Sequence, residues 1–235
     1  MASSLSYGPQ IITENLVLCL DANNVKSHSG GTAWHDLSSQ AVDGVLTNGP
    51  VFNSTDSTTG GSYFDFDGSN DYVTLGTPEI LNFSGSTSAT VVAWIKTSSS
   101  AEGQILRTRQ SSKWLIFGIA SGKLRANIYD GTTSANDENN NGPTVNDGSW
   151  HHVAAVFPRG GNIIFYKNGV ATTGVSMSGV TGETGTPSAY AAIGRRPDGS
   201  QYFDGSIACV HIYNRNLNSL EIQQNFNALR ARFKL

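Results

Sequence analysis

Eleven short runs rich in Val, Ile, Phe, Tyr and Trp recur along this chain between clusters of turn residues, and only near the C-terminus do apolar side chains fall at helical spacing. The runs are LVLCL, YFDF, YVTL, ATVVAWIK, QILRTR, WLIFGI, KLRANIY, HHVAAVF, NIIFYK, YAAIG and SIACVHIY. β-Branched and aromatic residues suit a pleated, half-buried surface, and repeating them at short intervals predicts two packed antiparallel sheets. The punctuation agrees. Asn168-Gly169 supplies the two positive-φ positions of a type I′ hairpin, and Gly122 and Gly160-Gly161 mark two further strand exchanges. WLIF and HHVAAVF are apolar on both alternations, which predicts central strands with the core on one face and a concave groove on the other.

One helix is predicted, at the C-terminus. Asn218 stands three residues before Glu221 in a capping-box arrangement, and Ile222, Phe226, Leu229 and Phe233 follow as a helical stripe. That stripe must cover its own sandwich or a neighbouring subunit. Residues 1–14 lack periodicity and read as an extended arm, 15–217 as one sandwich domain and 218–235 as the helix. The arm and the helix are the elements expected to make contacts in a homo-oligomer.

Charged residues are 14% of the chain, against roughly a quarter in an average soluble protein, so the surface is largely uncharged and polar. A net charge of −3 with no basic stripe argues against a nucleic-acid partner held through its phosphates. No segment approaches the ~18 continuous apolar residues of a membrane span, so no membrane partner is expected. The N-terminus has no basic region followed by an apolar one, which predicts a chain made in the cytoplasm without a signal peptide. Cys19 and Cys209 lie inside apolar runs and read as buried free thiols.

Retaining glycoside hydrolysis needs two carboxyls close together, and glycosidases built on β-sandwiches resemble one another in carrying two Glu four or five positions apart on one strand, as E-x-D-x-E or E-x-D-x-x-E. Here the nearest Glu pair in sequence is Glu79 and Glu102, and there is no nucleophile elbow, phosphate loop or CxxC pattern, so no catalytic residue is expected. His151 and His152 are adjacent on a strand and point to opposite faces, so they cannot share one metal ion. Calcium wants oxygen ligands from loops, and Asp67, Asn70 and Asp71 of the DGSND turn, with Asp204 of YFDGS, form the candidate set. A second acidic turn, Asp137-Glu138-Asn139-Asn140-Asn141-Gly142, opens like a calcium loop but carries Gly148 where a bidentate Glu is needed, and reads as a hairpin tip. For carbohydrate, Trp94, Trp114, Tyr129, Tyr190, Tyr202 and Tyr213 are candidate platforms, with core packing the default for the strand tryptophans. If the loops at 130–147 and 195–203 frame one rim, Tyr129, Arg195, Arg196, Asp198 and Tyr202 form the binding set.

FDFDGSNDYVTLG at residues 64–76, with WHHVAAVF, FYKNGV, AAIGRR and YFDGSIACVHIYNR from Trp150 onward, resembles a LamG-like jelly roll of the concanavalin A-like lectin/glucanase superfamily. The resemblance implies an all-β, two-sheet antiparallel jelly-roll sandwich with one short C-terminal helix. It also implies a calcium ion at a sandwich edge, where the loops at Asp67 and Asp204 match. The two ends, SYGPQIITENLVLCLDANNVKSHSGGTAWHDLSSQAVDGVLTNGPVF and LNSLEIQQNFNALRARF, resemble segments that flank such a domain in virion structural proteins of tailed phages. The chain departs from that pattern at Trp34-His35-Asp36, where such chains carry Trp-Tyr-Asp, and at the Ser38-Ser39-Gln40 turn. What this implies is a non-enzymatic virion component, a capsid decoration, head-fibre or tail-associated protein, with other virion proteins as partners and host-surface polysaccharide as a glycan contact. The alternative is a calcium-assisted carbohydrate-binding lectin module.

Overall fold

The structure is a computed structural model and describes residues 9–235 apart from 55–60, 84, 86, 111, 138 and 185–188. In chain order the strands are β1 (Leu16–Asp21), β2 (Ala33–Trp34), β3 (Gly44–Thr47), β4 (Val51–Asn53), β5 (Tyr63–Asp67), β6 (Tyr72–Gly76), β7 (Ala89–Lys96) and β8 (Gly103–Gln110). They continue with β9 (Lys113–Ala120), β10 (Lys123–Tyr129), β11 (Ser134–Asn136), β12 (Trp150–Phe157), β13 (Asn162–Lys167), β14 (Val170–Ser176), β15 (Tyr190–Ile193) and β16 (Asp204–Tyr213). Helix α1 (Ser219–Leu229) follows and runs into a 3-10 turn, Arg230–Phe233.

Two eight-stranded antiparallel sheets form. The first runs β14-β13-β12-β7-β16-β5-β4, with β1 also on β16, and the second β11-β10-β9-β8-β15-β6-β3-β2. Strand β16 is long enough to serve two partners on one edge, β5 through residues 204–207 and β1 through residues 209–213. This is the jelly-roll sandwich that the strand pattern predicts. The β13–β14 hairpin turns at Asn168 (φ 52°) and Gly169 (φ 83°), the left-handed pair a type I′ turn requires. Between the sheets, Phe64, Val91, Ala93, Ile95, Val153 and Phe157 of the first meet Leu106, Leu115, Phe117, Ile119, Leu124 and Ile128 of the second, all buried.

The outer face of the first sheet is covered as well. Phe226, Leu229 and Phe233 lie on Tyr63, Trp94, Trp150 and Cys209, and Ile222 and Leu217 lie on Val92, Ala154, Tyr166 and Tyr213. The Trp94 indole stacks on Phe233 at 4.2 Å and on Phe226 at 5.9 Å between centroids. Fully burying one such side chain contributes about 1.5–3 kcal/mol, and each ring pair adds about 0.5–1.5 kcal/mol beyond its area. The helical stripe therefore covers its own sandwich. It also corrects the expectation for HHVAAVF, whose second face meets α1 and not a groove.

Polar contacts fix the helix in place. Asn218 Oδ1 accepts the Leu220 and Glu221 N–H groups at 2.9 and 3.0 Å, and Glu221 Oε2 accepts the Asn218 N–H at 2.9 Å, completing the capping box. The arm is tied to the same helix. Asn225 Oδ1 accepts the Ile12 N–H at 2.8 Å, Asn225 Nδ2 donates to the Tyr213 hydroxyl at 3.1 Å, and that hydroxyl donates to the Ile12 carbonyl at 2.9 Å. At the far end, Arg232 Nη1 grips both Asp21 oxygens, at 2.8 and 2.9 Å. The helix and residues 9–14, which the sequence offered as intersubunit elements, are thus fastened to their own domain; residues 1–8 lie outside the described residues. Cys19 and Cys209 are buried free thiols on neighbouring strands, and burial pushes Cys19 up to about 12.

Two histidines lie under this cap. His152 is fully buried against Trp94 and Phe226, and neither of its ring nitrogens has a hydrogen-bond partner among the described residues. Burial, with the nearby His211, lowers His152 to about 3, and burial lowers His211 to about 4. The unfolded chain takes up these protons near pH 6.5 while the native state does not, so stability is fully present above pH 6.5 and is lost progressively as pH falls from there to the folded values. We expect urea denaturation followed by tryptophan fluorescence to show a loss on the order of several kcal/mol between pH 7 and 4, mostly above the range where carboxylates titrate. His152→Phe with His211→Leu should flatten that slope; an unchanged slope would assign it to other groups.

Candidate functional site

The outer face of the second sheet carries a different kind of surface. Alternate residues of a strand share a face. Register places Arg109 opposite Trp114, Arg107 opposite Ile116, Asn127 opposite Ile116, Tyr129 opposite Trp114 and Asn136 opposite Asn127. The odd positions of β8, with the even positions of β9, therefore point outward as Arg107, Arg109, Trp114 and Ile116, and Arg125, Asn127 and Tyr129 of β10 extend the row. The 195–203 loop adds Arg196 and Gln201 from the side, and Glu102 closes one end of a depression of about 280 Å³.

Most of its charges are paired. Asp198 Oδ2 takes Arg109 Nη1 at 3.0 Å and Arg196 Nε at 2.7 Å, while Oδ1 accepts the Ser200 hydroxyl at 2.8 Å. Although partial burial works the other way, these contacts hold the Asp198 carboxyl below the usual range. Glu102 pairs with Arg125. Arg107 is the exception: it is only 4% exposed, its Nη1 reaches Gln201 Oε1 at a long 3.4 Å, and its Nε has no partner among the described residues. Burial and the neighbouring Arg196 and Arg109 lower it to about 10, which leaves it cationic at neutral pH. Its guanidinium carbon sits 5.9 Å from the Trp114 ring centroid.

The loop is built to deliver Gln201. Gly199 (φ 82°) turns the chain back, the Arg196 N–H donates to the Ser200 carbonyl at 2.9 Å, and Gln201 itself adopts φ 52°. A left-handed conformation in a residue other than glycine costs about 1–3 kcal/mol and persists where surrounding contacts enforce it. Here the Gln201 carbonyl accepts the Gln104 N–H at 3.2 Å, and its side-chain oxygen accepts Gln104 Nε2 at 3.1 Å.

The residues nominated from sequence fall along this face but not in one pocket. Arg196 lines the depression and Asp198 forms its rim. Tyr129 packs on Trp114 at 4.6 Å, with its hydroxyl donating to the Gly131 carbonyl. Arg195 lies further across the sheet, its guanidinium 3.5 Å over the Tyr72 ring and Nη2 donating to the Tyr190 hydroxyl at 3.3 Å, with Tyr202 beside it. Trp94 and Tyr213 are buried under α1 and present no platform. Trp114 is the tryptophan that core packing does not claim. The reading from sequence missed Arg107, Arg109, Arg125, Asn127, Asn136 and Gln201; the polar residues alternating with apolar ones in QILRTR and KLRANI were the available signal.

A family model described as Laminin_G_3, concanavalin A-like lectin/glucanases superfamily, matches residues 67–223. The chain belongs to that superfamily. No curated protein matches the sequence. Among solved structures, the binding domain of paraclostridial mosquitocidal protein 1 superposes with a TM-score of 0.68 at 15% identity, over 92% of this chain and 52% of that one. The botulinum neurotoxin serotype D binding domain gives 0.67 at 18% identity, over 92% and 51%. Domain 4 of AbnA, an extracellular arabinanase from Geobacillus stearothermophilus solved with arabinotriose, gives 0.67 at 14% identity, over 91% and 98%. The chain thus spans about half the length of the toxin binding domains and nearly all of the arabinanase domain.

The edge where a LamG-like domain was expected to hold calcium is occupied by a turn that uses its own carboxylates. Asp67 Oδ1 accepts the N–H groups of Ser69, Asn70 and Asp71 at 2.8, 3.1 and 3.4 Å, and Asp71 Oδ2 accepts the Asp67 N–H at 3.1 Å. The Ser69 and Asn70 amides hold the Asp67 carboxyl below the usual range. Asp204 stands opposite Asp67 in the β5–β16 register. Among the described residues no three His, Cys, Asp or Glu side chains converge here, so an ion at this edge would have to draw on Asn70 and backbone carbonyls beside the carboxylates. At the other turn, Asp137 is buried and both its oxygens accept the Asn141 N–H, at 3.0 and 3.1 Å, a hairpin staple; Glu138 lies outside the described residues. Adding millimolar calcium should leave Tm unchanged in a thermal melt. A rise of roughly 5 °C or more, the size expected from an ion at a hundredfold excess over its Kd, would restore the edge site.

Proposed function

We propose that this domain is a non-catalytic carbohydrate-binding module that holds its glycan in the Arg107–Trp114 groove on the outer face of the second sheet. The observation that carries the reading is Trp114, a partly exposed indole on the sheet surface, surrounded by guanidinium and amide donors from four chain segments. An aromatic face with a few convergent polar groups is the combination that orients a sugar, whose ring carbons stack and whose hydroxyls need directional partners. The carboxylates at this groove, Glu102 and Asp198, are both engaged by arginines, which suits a binding site better than a general acid. That a sandwich of this kind is printed as a complex with arabinotriose adds support. Isothermal titration against a glycan panel should find micromolar to millimolar binders, with Trp114→Ala weakening them about tenfold, the scale of one lost aromatic contact. Flat titrations across the panel would overturn the reading.

We further propose that the module is carried on a tailed-phage particle, in line with the resemblance of its two ends and with host polysaccharide as the glycan. Mass spectrometry of purified particles is expected to find the chain in many copies; its absence from particles and presence only in lysate would refute this setting.

A further inference from the structure

We infer that the glycan held in this groove is acidic, with a carboxylate on one sugar seated against Arg107 while an adjoining ring lies on Trp114. This deepens the carbohydrate reading and rests on it. Four arginines, Arg107, Arg109, Arg125 and Arg196, line the depression against two carboxylates. Both carboxylates are already taken, Asp198 by Arg109 and Arg196, and Glu102 by Arg125. Arg107 makes no ion pair among the described residues, yet it is the most buried of the four. A buried cation without an anion is costly, and a guanidinium offers five donors, of which one is engaged among the described residues, at long distance.

What the groove lacks is therefore an anion of defined shape. The guanidinium fork matches a planar carboxylate through two parallel hydrogen bonds, whereas a sugar hydroxyl fills one donor and leaves the charge uncompensated. The 5.9 Å between the Arg107 guanidinium and the Trp114 ring lets a sugar stacked on the indole, or its neighbour in the chain, bring an exocyclic carboxylate onto Arg107. Burial and the like charges of Arg196 and Arg109 depress Arg107, and a bound anion relieves both effects. Gln201, held in its left-handed conformation, lines the same depression and touches the guanidinium through its side-chain oxygen at 3.4 Å.

The test uses the full chain and titrates uronic-acid oligosaccharides beside the same oligosaccharides reduced at the carboxyl to neutral sugars, with sulfated neutral oligosaccharides as a third arm. The acidic members should bind about tenfold more tightly than their reduced counterparts at low salt, and the gap should shrink as salt rises. Arg107→Gln should abolish the gap between acidic and reduced members, and Arg107→Lys should restore part of it. Should Arg107→Gln fail to fold, displacement from the wild-type chain by free glucuronate but not by glucose decides the matter. Equal affinities for acidic and reduced sugars, a preference surviving in folded Arg107→Gln, or a stronger preference for sulfate would each overturn the inference while leaving the carbohydrate reading in place. No binding by any arm removes both.

Discussion

The seating of the C-terminal helix on the outer face of the first sheet is the contact on which the rest of the molecule depends. A sandwich whose strands are apolar on both alternations has two apolar surfaces to hide on one sheet, and the second sheet can cover only one of them. Phe226 and Phe233 on Trp94 close the other. Because β7, β12 and β16 are enclosed from both sides, their register is strongly specified: a one-residue slip would exchange Trp94 and Val92 for Ala93 and Val91 on every contact they make. That rigidity has a cost, seen in His152 and His211, which are neutral and desolvated where a hydrocarbon would pack without penalty.

With one sheet sealed, chemistry is left to the other. The second sheet presents apolar side chains inward and a band of arginines, asparagines and a tryptophan outward, with an ion-pair network in two parts, Arg109–Asp198–Arg196 and Arg125–Glu102. The network does not serve stability in any large measure, since pairs this exposed contribute about 0–1 kcal/mol each. What it does is fix the directions of the guanidinium groups, so that the groove is organised before any ligand arrives.

Much of the architecture was legible from local signals. Asn168-Gly169 dictates its own turn, and Asn218 and Glu221 dictate where α1 begins, because both depend on neighbours in sequence. HHVAAVF shows where such signals stop: an apolar strand on both alternations announces two buried faces without naming what buries them, and the answer lay more than sixty residues away in a helix. The groove was less legible for the same reason. Arg107 and Arg109 look like any solvated strand face until β15, which arrives from far along the chain, settles beside β8 and its following loop folds over them. Trp114 was read as core by default, and its neighbours Leu115 and Phe117 are core; parity alone separates them, and a parity error of one residue reverses the assignment.

The helix cap also sets a polarity on the molecule as a whole. Residues 9–14 and the last residues of the chain both lie against the outer face of the first sheet, through Ile12 with Asn225 and Arg232 with Asp21. The arginine groove lies on the outer face of the second sheet, a full sandwich thickness away. Whatever is joined to the chain through its C-terminus meets it from behind the groove, so copies tethered that way in an array would all turn their arginines toward the medium.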